Sequence, residues 1–214
     1  MAKAGTDRDH ERPRIIGRSS SHFTRVLRIY AECCGIDYDF QVVPSLSSTD
    51  PDDYGGHPGL RLPSLQTAAG ITFGSLPGCR RLAEISPQAP ATLWPEQLPS
   101  PALVNAMELT TQAMASEVGL IMLTVGGQAD SPYAGKLRTG LEGMLAWLET
   151  AVDEILPLQP TGRLSYLDLS LFALIDHLDF REVLPLQPYP RLCAFRDRYA
   201  QQPAALKTCY VYDS

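Results

Sequence analysis

The hydrophobic positions of the chain change their spacing near residue 86, and this change divides the chain into two parts. Residues 14–85 combine short β-type runs with two amphipathic helical stripes, whereas residues 100–214 carry helical stripes only. Residues 86–99 between them contain four prolines, which is typical of a stiff linker. Residues 1–13 are polar with mixed charges, and we expect them to form a disordered tail.

The first part alternates in the order strand, helix, strand, strand, helix. An apolar run at 14–17 precedes a helical stripe over 23–34, and a β-type run at 37–43 follows. A β-α-β crossover of this kind makes the first two strands parallel. Pro63 is expected to open a hairpin, because proline does not donate to a central sheet ladder, and Ser75 suits the N-cap of the next helix.

The second part has apolar residues at helical spacing in four stretches. The third stretch, over 167–178, is apolar on nearly all sides, which predicts the buried centre of a helical bundle. At its start, Ser165 and Asp168 have the spacing of a capping box. We therefore interpret Asp168 as a structural cap rather than as an acid or base.

The composition narrows the possible partners. With 44% hydrophobic and 20% charged residues the chain is an ordinary globular protein. Its net charge of -6 provides no basic surface for nucleic acid or for an anionic membrane. No apolar run approaches the roughly 20 residues that span a bilayer. The polar N-terminus lacks the apolar core of a signal peptide, so we expect a cytoplasmic location.

The five cysteines predict neither a disulfide framework nor a metal site. They are odd in number and have no C-x-x-C spacing. Cys33 and Cys34 lie at the end of the first helical stripe, and we expect them to be reduced core residues. No metal cofactor is therefore expected.

Four segments carry a resemblance to a known family: residues 21–28, 57–65, 74–75 and 162–168, the last continuing to 179–181. They are similar to the motifs Ser-Pro-Phe-x-Arg-Lys-Val-Arg, Asn-Pro-x-Gly-Lys-Val-Pro-x-Leu, Glu-Ser and Gly-x-x-Ser/Thr-x-Ala-Asp of the cytosolic glutathione transferases. In this order and spacing, the chain resembles that superfamily over nearly its whole length after the tail.

The resemblance implies a thioredoxin-like α/β domain at 14–85 that binds glutathione. It also implies an all-α bundle at 100–214 that lines the pocket for the acceptor substrate. In such a site a cis bond at Pro63 leaves the Leu62 backbone free to pair with the cysteinyl part of glutathione. Arg61 matches the position near the glycyl carboxylate, where a cation is favourable.

The resemblance also implies binding and catalytic roles for two serines and for the glycine before one of them. Ser75 would offer its hydroxyl and backbone N–H to the γ-glutamyl carboxylate, at a helix N-terminus that favours anions. Gly74 stands where the family has an acidic residue that helps to hold the glutathione amine. Ser21 matches the catalytic position, where a hydroxyl that donates to sulfur favours the thiolate. Ser19 or Ser20 could take that place instead, and Ser21 could serve only as an N-cap.

Two further departures concern histidines. His22 replaces the proline that usually follows the catalytic position, and we interpret it as a tolerated turn residue rather than a base. His57 stands where asparagine is common. The absence of cysteine at position 21 disfavours thiol transfer and reductase chemistry.

The function that the resemblance implies is attack of a bound glutathione thiolate on a small apolar electrophile, as in detoxification, by a homodimer. Conjugation, isomerisation and dehalogenation all fit, and the serine-rich start resembles that of zeta-type maleylacetoacetate isomerase. Met107, Thr111 and Met114 are expected to line the acceptor pocket. The alternative is a non-catalytic binding or regulatory module with a decayed glutathione site, which Gly74 favours.

Overall fold

A four-stranded mixed sheet forms the first domain in the computed structural model, which describes residues 12–159 and 161–213. The strand order is β2-β1-β3-β4, with β1 parallel to β2 and antiparallel to β3. The strands are β1 (Arg14–Gly17), β2 (Asp39–Val42), β3 (Ser64–Thr67) and β4 (Gly70–Phe73). The predicted tail lies outside the described residues except for Arg12 and Pro13.

Two helices complete this domain, α1 (His22–Cys33) and α2 (Ser75–Ile85). They pack closely, since a Cβ atom at Gly78 on α2 would lie 2.9 Å from Cδ1 of Leu27 on α1. A 3-10 helix at Pro51–Tyr54 lies in the loop between β2 and β3. The observed β-α-β-β-α order confirms the predicted thioredoxin-like architecture.

The predicted linker takes part in the fold of the second domain. Within it, β5 (Thr92–Leu93) pairs in parallel with β6 (Leu164–Ser165), and Pro95–Gln97 forms a 3-10 helix. The expectation that the second half has no strand was therefore wrong. A two-residue strand has no room for a hydrophobic alternation, so its sequence carries no signal.

The second domain is otherwise helical, as predicted. Its helices are α3 (Pro101–Val125), α4 (Pro132–Ile155), α5 (Tyr166–Arg181), α6 (Pro190–Tyr199) and α7 (Pro203–Leu206), with a 3-10 turn at Leu156–Leu158 after α4. Helix α5 is buried on nearly all sides and packs against α1, α3 and α6, which confirms it as the centre of the bundle.

The Ser165 side chain accepts a hydrogen bond from the Asp168 backbone N–H at 3.2 Å, so the predicted N-cap of α5 is present. The Asp168 carboxylate accepts from Gln159 Nε2 at 2.7 Å. Burial raises the pKa of Asp168, against hydrogen bonds from Gln159 and Ser165 that lower it. These contacts agree with a structural role for Asp168.

The five cysteines are free thiols. Cys34 is buried, and burial raises the pKa of its thiol to about 12. Cys79 is also buried, and its pKa is raised well above the usual value for the same reason. Neither thiol is therefore a nucleophile at neutral pH. Among the described residues, no helix is both long enough and apolar enough to cross a membrane.

Candidate functional site

Three of the segments singled out in the sequence meet beside the N-termini of α1 and α2. The Gly74 N–H donates to the Pro63 carbonyl at 2.8 Å, which joins the start of α2 to the start of β3. The Ser75 hydroxyl donates to the Phe23 carbonyl at 2.8 Å, which joins the start of α2 to the first turn of α1. These two bonds bring the turn at Ser21, the Leu62–Pro63 segment and the Gly74–Ser75 turn together.

Ser21 is the N-cap of α1. Its Oγ accepts a hydrogen bond from the Thr24 N–H at 3.3 Å, and the residue is half-buried. A hydroxyl has two lone pairs and one O–H, so the capping bond leaves the O–H able to donate to another group. The capping role and a role toward a thiol are therefore compatible.

Helix α2 begins one residue earlier than predicted, with Gly74 rather than Ser75 as its N-cap. Gly74 has a φ of 87°, a conformation in which glycine is favoured because it lacks a Cβ atom. This geometry gives a backbone reason for glycine at a position where the resembled motif has an acidic side chain. Ser75 is the first helical residue and is buried, with its hydroxyl directed to Phe23.

The remaining predicted contact residues lie before β3. Arg61 is exposed and Leu62 is half-buried, while Pro63 is buried and its peptide bond with Leu62 is cis, as the sequence predicts. His57 turns back on its own loop, where its Nδ1 accepts the Gly59 N–H at 2.9 Å.

The C-terminal segment holds the loop that contains the three serines. The Asp213 carboxylate accepts the Ser19 N–H at 2.8 Å and lies 3.3 Å from Nε of Arg18. Arg18 also donates through Nη2 to the Asp213 carbonyl at 3.0 Å. Ser19 is buried, whereas Ser21 is half-buried. Of these two serines, Ser21 therefore has the hydroxyl that is better placed to reach a ligand.

A cluster of three ionisable side chains lies directly behind this loop, and sequence reasoning missed it. His22, Glu117 and His177 come from α1, α3 and α5, and each is at most 3% exposed. Nδ1 of His177 lies 2.7 Å from Oε1 of Glu117 and 3.0 Å from Nδ1 of His22. Nδ1 of His22 lies 3.1 Å from Oε2 of Glu117. The interpretation of His22 as a turn residue was wrong, because its ring is buried between helices.

The pattern of the sequence did contain a signal for this cluster. Glu117 lies seven residues after Thr110 and three after Met114, on the apolar stripe of α3. His177 interrupts a helix that is otherwise apolar on nearly all sides. A charged or polar side chain on a buried face needs a polar partner. Here the three side chains of the cluster are one another's partners.

Burial and hydrogen bonding set the protonation states in the cluster. Burial lowers the pKa of His22, although the nearby Glu117 opposes this shift. Burial alone would raise the pKa of Glu117, but hydrogen bonds from His177 and His22 outweigh it, so that pKa is lowered. At neutral pH these directions favour an uncharged His22 beside an ionised Glu117.

An ion pair lies next to the cluster. Arg25 on α1 donates to Asp176 on α5, and its guanidinium lies 4.2 Å from the ring centroid of Tyr210. The Tyr210 hydroxyl donates to the Ala173 carbonyl at 2.7 Å. Helix α5 thus contacts both α1 and the C-terminal segment through polar groups.

The predicted lining of the acceptor pocket was partly wrong. Met114 is 2% exposed and lies in the hydrophobic core, so it does not line an open pocket. Met107 is half-buried and Thr111 is exposed, with its hydroxyl donating to the Met107 carbonyl at 3.0 Å. The helical period brings all three to one broad face of α3, but the neighbouring helices cover the end that carries Met114.

A thioredoxin-like domain followed by an all-helical domain is an architecture that this chain shares with solved structures. One is a glutathione S-transferase from Methylobacillus flagellatus KT with GSH bound: 19% identity, TM-score 0.73, covering 93% of this chain and 100% of that chain. Another is a glutathione S-transferase from Methylobacterium radiotolerans JCM 2831 in complex with glutathione sulfonate. It has 19% identity and a TM-score of 0.74, and the match covers 95% of this chain and 97% of that chain. A third is a glutathione transferase family member from Pseudomonas fluorescens Pf-5 with bound S-(propanoic acid)-glutathione. It has 19% identity and a TM-score of 0.70, and the match covers 93% of this chain and 100% of that chain.

Residues 142–207 match the family model of the glutathione S-transferase C-terminal domain. A comparison with curated proteins found no match. Over these residues the chain is therefore similar to the glutathione S-transferase C-terminal domain, and over nearly its whole length it has the fold of these solved glutathione S-transferases.

Proposed function

We propose that this protein binds glutathione and uses its thiolate to attack a small apolar electrophile. The observation that carries the proposal is the meeting of the Ser21 turn, the Leu62–Pro63 segment and the Gly74–Ser75 turn through two backbone-anchored hydrogen bonds. The relatives with bound glutathione or its derivatives support the ligand class. A soluble, cytoplasmic protein of this class fits the sequence.

Each contact in the proposed site has a physical reason. Arg61 is exposed and able to pair with the glycyl carboxylate, and the Leu62 backbone pairs with the cysteinyl unit. The γ-glutamyl carboxylate is held by the backbone N–H of Ser75 at the first turn of α2, where the helix dipole favours an anion. Gly74 supplies no carboxylate for the ligand amine, so we expect the affinity to be modest.

Ser21 acts on the sulfur in this proposal. A free thiol with a pKa near ~8.5 is mostly protonated at pH 7. The Ser21 O–H donates to the sulfur and stabilises the thiolate, assisted by the N-terminus of α1. The product is a thioether when the thiolate adds to the electrophile, and a thioether plus free halide when the new S–C bond replaces a C–halogen bond. In isomerisation the thiolate adds, the adduct rotates, and the S–C bond breaks again to release the rearranged substrate and glutathione.

A second candidate is a binding or regulatory module that has lost catalysis. Two observations favour it: Gly74 lacks a carboxylate, and the Ser75 hydroxyl is already engaged by the Phe23 carbonyl. In that case glutathione would bind weakly or not at all. The Ser75 hydroxyl would have to leave Phe23 before it could donate to a ligand.

Retention on glutathione-agarose followed by elution with free glutathione tests the proposal. We expect the wild type to be retained, and we expect Arg61→Ala to elute earlier. Turnover of a panel of aryl halides, epoxides and cis-alkenes then separates conjugation from isomerisation. A wild type that flows through the column and turns over nothing favours the module.

We also propose a homodimer, in which the first domain of one subunit packs against the helices of the other. Ile71 and Phe73 on β4 leave 45% and 37% of their surface exposed, which is apolar area that a partner can cover. Light scattering at micromolar concentration should give about twice the 23.5 kDa of one chain. A mass of one chain contradicts the dimer.

A further inference from the structure

The buried cluster touches the proposed site through one hydrogen bond. His177 Nε2 lies 2.8 Å from the carbonyl oxygen of Ser20, the residue before the proposed thiol-activating serine. A carbonyl only accepts, so Nε2 of His177 carries a hydrogen and donates it. This bond fixes the orientation of the ring and turns Nδ1 toward Glu117 and His22.

The geometry requires a proton between His177 and Glu117. Their Nδ1 and Oε1 atoms are 2.7 Å apart, and a lone pair facing an ionised oxygen at this distance would be repulsive. This hydrogen bond ties the His177 ring to the Glu117 carboxyl group and so holds Nε2 toward the Ser20 carbonyl. His22 completes the cluster, with its Nδ1 3.1 Å from Oε2 of Glu117 and 3.0 Å from Nδ1 of His177.

Two imidazoles and a carboxylate are also a donor set that binds divalent metals, and their nearest donor atoms lie within 4.8 Å of one another. The hydrogen-bonding pattern favours the proton. A metal-bound Nδ1 of His22 would leave a hydrogen on Nε2, which has no partner among the described residues. Metal-ligating histidines almost always donate their second N–H.

We propose that His177, oriented by Glu117 and His22, is a positioning residue that holds the Ser20 carbonyl and so keeps the Ser21 hydroxyl aimed at the glutathione sulfur. This proposal rests on the proposed function. Its loop-anchoring part is independent of any ligand and can be measured without one.

The anchoring has a reason in the surrounding contacts. The Asp213 carboxylate holds the loop from the side of the C-terminal segment, at the Ser19 N–H. The His177 bond holds the loop from inside the bundle at the Ser20 carbonyl, one residue nearer to α1, and the Ser21 cap follows. Loss of the internal bond would leave the turn between Ser19 and Ser21 tied at its ends but not at its centre.

The test uses His177→Leu and His177→Gln in the full chain. Leucine removes the donor, whereas glutamine offers a side-chain N–H at a similar reach. Glu117→Gln removes the charge that orients the ring, and it provides a second variant if His177→Leu fails to fold. Thr110→Val is the matched control: it removes a buried hydroxyl of α3 that donates only to its own helix, at Ala106.

The first readout is amide hydrogen exchange over residues 18–25, followed by mass spectrometry. We expect exchange in this peptide to rise at least tenfold in His177→Leu, to stay near wild type in His177→Gln, and to be unchanged in Thr110→Val. The second readout is steady-state kinetics. We expect kcat to fall roughly 10- to 100-fold in His177→Leu with the KM for glutathione within about threefold, because misplacement of a reacting group by about 1 Å costs this much.

Each alternative result overturns the proposal in a distinct way. Unchanged exchange in His177→Leu means that the residue does not anchor the loop. Equal losses of kcat in His177→Leu, His177→Gln and Thr110→Val mean a purely structural role. One equivalent of metal in the purified wild type, lost in Glu117→Gln, means that the cluster is a metal site. If the wild type fails to bind glutathione, the proposed function fails and the role toward Ser21 fails with it, whereas faster exchange would still establish the anchor alone.

Discussion

Replacement of Ser21 by alanine separates the two roles that the structure allows for this hydroxyl. The Ser21 Oγ caps α1 by accepting the Thr24 N–H at 3.3 Å, and in the proposed function its O–H donates to the glutathione sulfur. Loss of the cap should lower the free energy of unfolding by about 1 kcal/mol. Loss of the donor should act on the rate alone.

The size of the rate effect follows from the thiolate fraction. Without help, a thiol with a pKa of about 8.5 is roughly 3% ionised at pH 7. If the Ser21 hydrogen bond lowers that pKa by about one to two units, the ionised fraction becomes roughly 25–75%. Ser21→Ala should therefore reduce turnover at pH 7 roughly 8- to 25-fold. Near pH 9.5 both proteins hold glutathione mostly as thiolate, and the difference should disappear.

The assay is turnover against pH from 6 to 9.5, with ultraviolet titration of the bound thiolate as a direct measure of its pKa. Ser131→Ala is the control, because Ser131 caps α4 by accepting the Ala134 N–H at 3.2 Å and should lose similar stability without a rate defect. A pH-independent defect in Ser21→Ala would refute the thiolate argument. A pH-dependent defect in Ser20→Ala alone would place the donor one residue earlier.

Three further predictions concern the ligand contacts and the cluster. Arg61→Ala should raise the Kd for glutathione about three- to tenfold in calorimetry, and more salt should shrink this difference, since an exposed charge pair is screened. Gly74→Ala should lower the free energy of unfolding by about 1 kcal/mol in urea titrations because of its positive φ, whereas Gly143→Ala within α4 should raise it slightly. In the folded protein the pKa of His22 is lowered from 6.5 and that of Glu117 from 4.5, so the unfolded chain takes up each proton more readily. Each residue therefore stabilises the folded state fully above its unfolded pKa, and this stabilisation is lost as the pH falls below that value. Urea denaturation should show stability falling below about pH 6.5 by up to ~1.4 kcal/mol per pH unit for each proton taken up, and His22→Asn should flatten this slope.

Local patterns predicted most of the fold. The stripe over 23–34 and the serine before it gave the position of α1 and its cap, because both depend on residues within one or two turns. Pro63 at the start of β3 was predictable for the same reason, since its ring restricts only its own neighbourhood. The start of α2 was displaced by one residue because serine and glycine both suit an N-cap, and only the backbone angle of Gly74 decides between them.

The cluster behind the serine loop was not predictable in the same way. His22 and His177 are 155 positions apart, and Glu117 and His177 are 60 apart, so no local period connects them. Each looked like an isolated polar residue in its own helix. The packing of α1, α3 and α5 around a common centre is what brings the three together, and packing of single polar residues leaves no repeat in a sequence.

The energetics of such a cluster bear on why it is there. A buried ion pair contributes little net stability, because the cost of removing both charges from water offsets their attraction, and well-packed apolar residues are often as stable. Stability of the bundle therefore gives no reason for placing His22, Glu117 and His177 on three separate helices. An apolar replacement would, however, leave the Ser20 carbonyl without its donor at 2.8 Å. The hydrogen bond to the serine loop is the contribution that only a polar cluster makes, and the requirement to hold the His177 donor in one orientation accounts for the other two members.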